Sequence, residues 1–291
     1  MANNSKAIFF ILGAVFLFTV MDAAAKHLTQ KIGIIPTIWA RYVGQVIIVF
    51  AILAPRLSKV GKTNYPKLQA TRSVLLMGAT SCFFIGISEI GLAEATAIMD
   101  INPVLITLGA FLFLGESIGP RRIIGILISL IGAMIIIRPG TSTFTIFALM
   151  PLLSAICFAA YSLTTRYIGR NEDPATSLLY TALCGALVYS ILVPNYWQQI
   201  SMISVALISL LAITGTLGHF FLIKAFSLGE ASMLAPFIYA GLIYSAIWGI
   251  LFFDEYPDKF SIFGALLIAG SGIYVWYRET LTKQSPRNSE L

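Results

Sequence analysis

Charged and aromatic side chains that interrupt long apolar stretches are the candidates for chemistry, because an ionisable group inside a membrane needs a partner or a wet cavity. Asp22 and Lys26 are four residues apart on one helix face, where they can form an ion pair, act as a gate or contact a substrate. Arg41 lies between Trp39 and Tyr42, where a guanidinium can stack on a ligand ring or bind a carboxylate. The alternative for Arg41 is snorkelling to the outer interface, with Trp39 in the aromatic belt.

Two further acids belong to the same predicted outer half of the membrane. Glu89 lies near the end of the third apolar segment and Asp100 lies inside the fourth, just before Asn102 and Pro103. A surplus carboxylate there can receive a proton or attract a cationic group, and the alternative for Asp100 is a counter-ion for Arg41. Asn102 projects to a different part of the helix surface. Pro103 removes one backbone hydrogen bond, which opens carbonyls to a cavity or only kinks the helix.

In the second half of the chain the polar groups fall toward the predicted inner side. Tyr161, His219 and Tyr239 are the candidates, and Pro236 is the counterpart of Pro103. Tyr239 follows Pro236 by three residues and therefore shares its helix face. The alternatives are a structural hydrogen bond for the lone histidine and packing for the aromatic rings.

Composition decides the class of protein. Of 291 residues, 58% are hydrophobic and 11% are charged, and the mean hydropathy is +0.86. Soluble domains carry roughly 25% charged residues, so these values exclude a soluble enzyme, a nucleic-acid binder and a disordered chain. Cys82, Cys157 and Cys184 lie in separate apolar runs, which is neither a disulfide framework nor a metal spacing. No cofactor and no metal site are predicted.

Ten apolar segments have roughly membrane-spanning length, which predicts an all-α polytopic membrane protein. With the N-terminus inside, the inner segments hold fourteen Lys and Arg residues and the outer segments hold four. The positive-inside rule then predicts cytoplasmic termini and a multi-pass protein of the cytoplasmic, or inner, membrane. The predicted spans are 7–27, 35–54, 73–92, 95–114, 121–138, 146–167, 177–194, 203–224, 231–253 and 259–277.

The two halves of the chain resemble each other weakly. A shift of 136 residues aligns Glu94 with Glu230, and a shift of 139 residues aligns Glu116 with Glu255. Because each half holds five spans, the second half must enter the membrane inverted, which is an architecture of many secondary transporters. The predicted units are one five-helix repeat over 1–140, a second over 141–278, and a polar cytoplasmic tail over 279–291.

An ordered set of motifs resembles the EamA family of the drug/metabolite transporter superfamily. The resemblance implies ten helices in two inverted five-helix repeats and transport of a small organic solute, imported or exported. This chain departs from many relatives in carrying Asp100-Ile101-Asn102 before the proline of the fourth span. The motifs are Gly91–Ile98, Asn102-Pro103-Val104, Leu114-Gly115-Glu116, Arg138-Pro139-Gly140, Gly215–His219, Lys224-Ala225, Ala235–Tyr239 and Glu255-Tyr256-Pro257.

The function expected from the sequence is secondary active transport of a small amphipathic metabolite by alternating access. Amino-acid-like and nucleoside-like solutes, zwitterionic or cationic, are the first candidates, driven by a proton gradient or by the solute gradient. The alternatives are an intramembrane enzyme, although the chain has neither H-E-x-x-H nor G-x-S-x-G, and a passive channel. The expected partners are the small-molecule substrate and the lipid bilayer, with no nucleic acid. Small residues at Gly125 and Ser129 and at Ala265 and Ala269 leave a homodimer open.

Overall fold

The computed structural model describes residues 2–114, 120–141, 144–168, 172–228, 234 and 237–284, and no residue in these ranges is in a β-strand. Helices dominate because a backbone in lipid must satisfy its own hydrogen bonds. The α-helices are α1 Ala2–Ile32, α2 Ile34–Leu53, α3 Leu57–Val60, α4 Pro66–Glu89, α5 Leu92–Met99, α6 Asn102–Leu114, α7 Pro120–Ile137, α8 Leu149–Ile168, α9 Pro174–Leu192, α10 Met202–Leu228, α11 Ala240–Phe253 and α12 Lys259–Gln284.

Length and hydropathy make this a polytopic membrane protein. Within the described ranges, seven helices are long and apolar enough to cross a bilayer, and two shorter apolar helices accompany them at Ile123–Ile137 and Ala240–Phe253. The fourth predicted span is divided between α5 and α6. Helix α4, which corresponds to the third predicted span, begins at Pro66 rather than at the predicted residue 73. Its first turns carry polar residues that are buried against other helices.

Two interruptions of helical structure fall at predicted site residues. α5 ends at Met99 and α6 begins at Asn102, so the break falls at Asp100 and Ile101, ahead of the bend expected at Pro103. The reason is that Pro103 lies in the first turn of α6 and has no N–H with which to continue α5. In the second half, Tyr239 forms a turn immediately before α11. Pro236 lies outside the described residues.

The main contacts between helices have counterparts when the first and second halves of the chain are interchanged. α1 packs along α10 as α4 packs along α8, and α2 packs on α10 as α9 packs on α4. α2 with α9 and α7 with α12 also form large contacts between the halves. The central apolar core lies between these pairs, around Tyr42, Phe84 and Leu28.

The small residues of α7 and α12 are used inside one chain. A Cβ on Gly132 would come 2.8 Å from the carbonyl oxygen of Gly264, so the two backbones approach as closely as glycine allows. Ser129 and Ser271 hydrogen-bond across the same contact at 2.6 Å. The predicted close packing therefore joins α7 to α12, and a homodimer stays a prediction.

Candidate solute-binding site

Four buried polar side chains lie on the neighbouring helices α1, α2 and α10, and we call them the central polar cluster: Asp22, Arg41, Gln45 and His219. Each is at most 9% exposed. Arg41 and Gln45 are four residues apart and share one face of α2. Small residues allow the approach of α10, because Gly44 of α2 packs against Ala212. Sequence reasoning had singled out three of the four and missed Gln45, whose spacing from Arg41 was the available signal.

The Arg41–His219 contact fixes the state of the histidine. Arg41 Nη2 lies 3.0 Å from His219 Nε2. A guanidinium only donates, so Nε2 must be the acceptor and the ring is neutral with its proton on Nδ1. The ring of Phe18 packs edge-to-face on the imidazole, with centroids 4.9 Å apart. His219 therefore orients the guanidinium and occupies one of its nitrogens.

Four buried polar atoms of the central polar cluster lack hydrogen-bond partners within the described part of the chain. They are Asp22 Oδ1, Arg41 Nε and Nη1, and Gln45 Nε2. Asp22 and Arg41 do not form an ion pair; the ion pairs between described residues are Lys26–Glu255 and Arg138–Asp258. Buried groups of this kind normally find a partner. The cluster thus offers one anionic acceptor beside a set of donors.

The C-terminal end of α1, which is its predicted outer end, is held by a separate group that we call the outer tie: Lys26, Glu255 and the backbone of Ile90 and Leu92. Lys26 Nζ is 2.6 Å from Glu255 Oε1 and donates to the Ile90 carbonyl at 2.6 Å. The Leu92 N–H donates to Glu255 Oε2 at 2.8 Å. The expected Asp22–Lys26 pair is wrong, because the long lysine side chain reaches outward to the loop while Asp22 lies one turn deeper.

A cavity of ≈ 300 Å³ adjoins the outer tie, and exposed Glu89 lies on its rim at the end of α4. Nearby contacts also join the two halves of the chain. Ser261 donates to Glu94 at 2.7 Å, and Arg138 pairs with Asp258. Glu255 is the main group here that sequence reasoning did not place in the site; its signal was its match with Glu116.

A second buried arginine lies toward the predicted inner side. Arg72 is 1% exposed, and its hydrogen-bond partners among the described residues are neutral. The sequence interpretation counted it among the cations of a loop and did not recognise it as a buried group. Its Nη2 donates to the Tyr161 hydroxyl at 3.0 Å, so the predicted site residue Tyr161 belongs to this network rather than to the central polar cluster. The other acceptors are Thr165 Oγ1, Gln69 Oε1, Ser177 O and Thr181 Oγ1.

The helix break holds Asp100, away from the central polar cluster. Asp100 is 7% exposed and Tyr239 is 6% exposed, and Asp100 Oδ2 and the Tyr239 hydroxyl lack partners among the described residues. Tyr239 packs in the same buried cluster as Ile98 and Ile101, which lie two residues before and one residue after Asp100. The structure does not place Asp100 opposite Arg41, so the counter-ion alternative is wrong. Asn102 instead joins α6 to α8 by donating to the Ala155 carbonyl at 3.1 Å.

The two predicted aromatic residues of α2 have different surroundings. Trp39 is half-buried at the predicted outer rim, where its Nε1 donates to Ser190 at 3.0 Å and its ring meets Trp197 edge-to-face. Tyr42 is fully buried and donates to Thr80 at 3.2 Å, while its ring centroid lies 4.7 Å from Arg41 Cζ. Tyr42 therefore supports the guanidinium from behind, and Trp39 belongs to the rim.

Comparison with known proteins assigns the family. A model described as the EamA-like transporter family matches residues 5–138 and again residues 145–277. The chain belongs to the EamA-like transporter family. The resemblance deduced from the sequence motifs is thereby confirmed, and the homologues are transporters of the drug/metabolite superfamily.

Three curated relatives cover most of the chain. An S-adenosylmethionine uptake transporter of Rickettsia prowazekii is 26% identical, covering 94% of this chain and 92% of its own. The pseudopaline exporter CntI of Pseudomonas aeruginosa is 28% identical, with 88% and 90% covered. A riboflavin transporter of Rhizobium johnstonii is 29% identical, with 92% and 90% covered. Because these relatives are small-metabolite transporters, so is this chain at that level of description.

A solved crystal structure confirms the fold alone. It has a TM-score of 0.68 and 18% sequence identity, and covers 94% of this chain and 99% of the other. The family and these relatives are described as transporters, which supports a carrier over an intramembrane enzyme.

Proposed function

We propose that the chain is a secondary transporter of a zwitterionic metabolite with an α-amino carboxylate head, moved across the cytoplasmic membrane by alternating access. The observation that carries the proposal is the set of unpartnered buried atoms in the central polar cluster. A lone buried carboxylate and a partly free guanidinium are expensive to maintain without a ligand or water. Opposite charges held apart between α1 and α2 are suited to a ligand that carries both charges.

Each end of such a head group has a partner in the cluster. Asp22 Oδ1 accepts from the ligand ammonium, while Arg41 and Gln45 donate to the ligand carboxylate. Hydrogen bonds to charged groups contribute about 1.5–3 kcal/mol each. His219 keeps the guanidinium in place without adding a second cation, because its ring is neutral when it accepts from Arg41. The site is therefore close to neutral when the zwitterion is bound.

The relatives narrow the choice of ligand only in part. S-adenosylmethionine carries an α-amino carboxylate and an aromatic base, whereas riboflavin has no such head group. The relatives named as transporters of these two compounds are nevertheless about equally similar to this chain. Family membership therefore leaves the substrate open, and the central polar cluster favours the amino-acid-bearing class. Nine-tenths burial of that cluster also favours a carrier over an open channel.

The architecture that we propose has ten spans in two inverted repeats, over residues 1–140 and 141–278, with both termini in the cytoplasm. Support comes from the twofold match of the family model and from helix contacts that persist when the halves are exchanged. The interruptions at Asp100 and Tyr239 add to this support, since broken helices near the midplane are typical of such transporters. The outer tie closes the outer side of the proposed pathway.

The test is transport by the purified full chain in proteoliposomes. We expect saturable uptake of radiolabelled S-adenosylmethionine or methionine, competed by other α-amino acids and not by riboflavin. Asp22→Asn and Arg41→Gln should each abolish it, whereas Glu89→Gln at the exposed rim should retain it. Uptake of riboflavin alone, indifferent to amino acids and to both cluster variants, would reject the proposed substrate class.

A further inference from the structure

We infer that the helix break at Asp100 is a proton-binding site, separate from the solute site, and that Asp100 and Tyr239 together pass one proton across the membrane in each transport cycle. The inference rests on the proposed function, since a proton can drive only a carrier that moves something else. It assigns the driving ion and the group that binds it, neither of which the solute site supplies.

The geometry of the break isolates a carboxyl group. Asp100 terminates α5, and its N–H donates to the Thr96 carbonyl at 2.9 Å, which fixes the backbone and leaves the side chain free to respond. Its Oδ2 and the Tyr239 hydroxyl are buried and lack partners among the described residues. Tyr239 packs among buried apolar side chains that include Val104, Ile268 and Ile101, the residue that follows Asp100. An ionised carboxylate in such a place is strongly disfavoured unless a proton or a cation neutralises it.

Within the described part of the chain, no cation of the neighbouring helices forms an ion pair with Asp100. α5 packs against α1, α4, α7, α8, α11 and α12. Among their described parts, the phenol of Tyr239 at the start of α11 lies in the buried cluster of Ile98 and Ile101 beside Asp100. Several charged side chains of these elements have other partners among the described residues: Lys26 binds Glu255, Arg72 binds Tyr161, Glu94 binds Ser261, and Arg138 binds Asp258. Asp22 belongs to the central polar cluster.

Tyr239 suits both states of the carboxyl group. A phenol donates its O–H to an ionised carboxylate and accepts from the O–H of a protonated one, so it serves Asp100 before and after proton transfer. Close packing against Gly272 holds the ring in place, because any Cβ at that position would overlap the hydroxyl. On the other side of the break, the Asn102 side chain donates to the Ala155 carbonyl, so it does not take the place of Tyr239 as the partner of Asp100.

The proposed step is a simple proton transfer. When the break faces water on one side, a hydronium ion gives its proton to the Asp100 carboxylate and leaves as water. The neutral acid then passes through the closed state in which the site is dry. On the other side water takes the proton back, forming hydronium, and the carboxylate is hydrated. Asp100 is accessible to water on only one side of the membrane at a time. Proton binding and release are therefore coupled to the conformational change.

The discriminating experiment compares two transport modes in proteoliposomes with S-adenosylmethionine as the probe. In wild type, an imposed pH gradient should accelerate net uptake at least fivefold over solute-driven exchange. Asp100→Asn should keep exchange within about twofold of wild type and lose the acceleration, because the amide cannot carry the proton. Asp22→Asn is the matched control and should lose both modes together with binding.

The outcomes separate this inference from the proposed function. Saturable exchange with no response of wild type to the pH gradient, or a gradient response that survives in Asp100→Asn, overturns the proton site alone. Failure of wild type to bind or exchange any zwitterionic probe overturns the proposed function instead.

A measurement on the unmodified protein covers the case in which Asp100→Asn does not fold. Dicyclohexylcarbodiimide reacts with protonated carboxyl groups in apolar surroundings, where the carboxyl oxygen adds to the carbodiimide carbon. Peptide mass spectrometry should find the adduct at Asp100 in wild type and not at ion-paired Glu255, with labelling that slows as the pH is raised. Adduct formation at Glu255 with none at Asp100 would overturn the inference.

Discussion

Two arginines lie in the interior of the molecule with opposite surroundings. Arg41 has one bonded nitrogen and two without partners among the described residues, whereas each nitrogen of Arg72 reaches a neutral acceptor. The same side chain is therefore available for a ligand in one place and committed to structure in the other. Substitution of the two residues should separate binding from stability.

Arg72→Gln should lower the stability of the fold and leave ligand affinity nearly unchanged in the molecules that remain folded. Removing the guanidinium leaves Thr165, Tyr161 and Thr181 without their donor in a buried site, which costs about 2–5 kcal/mol. A thermal melt in detergent measures the loss. Lys67→Gln, exposed on the same helix, is the control and should melt like wild type. An unchanged melt in Arg72→Gln would contradict the assignment.

At the residue scale, the sequence predicted which charged side chains lie inside the apolar helices but not which residues they contact. Charges within apolar runs marked Asp22, Arg41 and Asp100 correctly as buried groups, because burial of a charge is conspicuous in composition alone. The partner of Lys26 was wrong, because helical spacing favours a local acid whereas the structure supplies Glu255 from the far end of the chain. Such pairings depend on how helices pack, which spacing along one helix does not reveal.

At the scale of helices, the outer tie is the contact that must break if α1 and the α11–α12 link are to separate. Lys26→Met should favour the outward-open state, because the ion pair and the hydrogen bond to the Ile90 carbonyl are lost together. The readout is labelling of Thr19→Cys by an impermeant maleimide from outside, in a chain whose three native cysteines are replaced by alanine. Thr19 is buried deeper on α1 and hydrogen-bonds Trp248 of α11.

Labelling at position 19 should rise at least threefold in Lys26→Met and return toward wild type in the charge-reversed pair Lys26→Glu with Glu255→Lys. Arg138→Gln is the matched control. It removes the other outer ion pair, but α7 and α12 remain packed along their lengths, so labelling should not change. Equal labelling in all variants would show that the outer tie does not close the pathway.

The Arg138–Asp258 pair at the start of α12 gives a pH-dependent stability of known sign. Hydrogen bonding from Arg138 lowers the pKa of Asp258 from 3.8 to about 2. A lowered pKa means that the pair stabilises the fold above pH 4 and that this contribution is lost as the pH falls through 2. The Asp258 side chain is 46% exposed, so screening by solvent keeps the effect small.

We therefore expect Asp258→Asn to melt slightly below wild type at pH 6 and the difference to narrow between pH 4 and pH 2.5. Asn keeps an acceptor for the Ser261 N–H, so the comparison isolates the charge. Added salt should also narrow the difference at pH 6. A gap that widens on acidification would contradict the sign.

For the whole molecule, composition and hydropathy were sufficient to predict a helical polytopic membrane protein, and the resemblance of its ordered motifs indicated the family. They were sufficient because spanning length and low charge are properties of continuous segments. The position of the helix break at Asp100 was not predictable, since Pro103 constrains the residues before it by an amount that depends on packing. The ten-span count and the inverted repeats remain predictions.

The proposed orientation has a direct test. Cysteines placed at Lys62 and at Gln198, both exposed in links between helices, should be labelled by an impermeant reagent from opposite faces of inside-out and right-side-out vesicles. Lys62 should react from the cytoplasmic face and Gln198 from the outer face. Labelling of both from one face would overturn the inverted repeat and the span count together.

The most direct test of the central claim is a binding cycle that removes one charge from the ligand and one from the protein. S-adenosylmethionine and its decarboxylated form differ by the carboxylate that Arg41 is proposed to bind, and their dissociation constants can be measured on wild type and on Arg41→Gln by isothermal titration. We predict that wild type prefers the carboxylate form by about 10- to 150-fold, as expected for a charge-assisted contact, and that Arg41→Gln loses this preference while folding normally. A preference that is absent in wild type, or undiminished in Arg41→Gln, would contradict the assignment of the central polar cluster as the solute site.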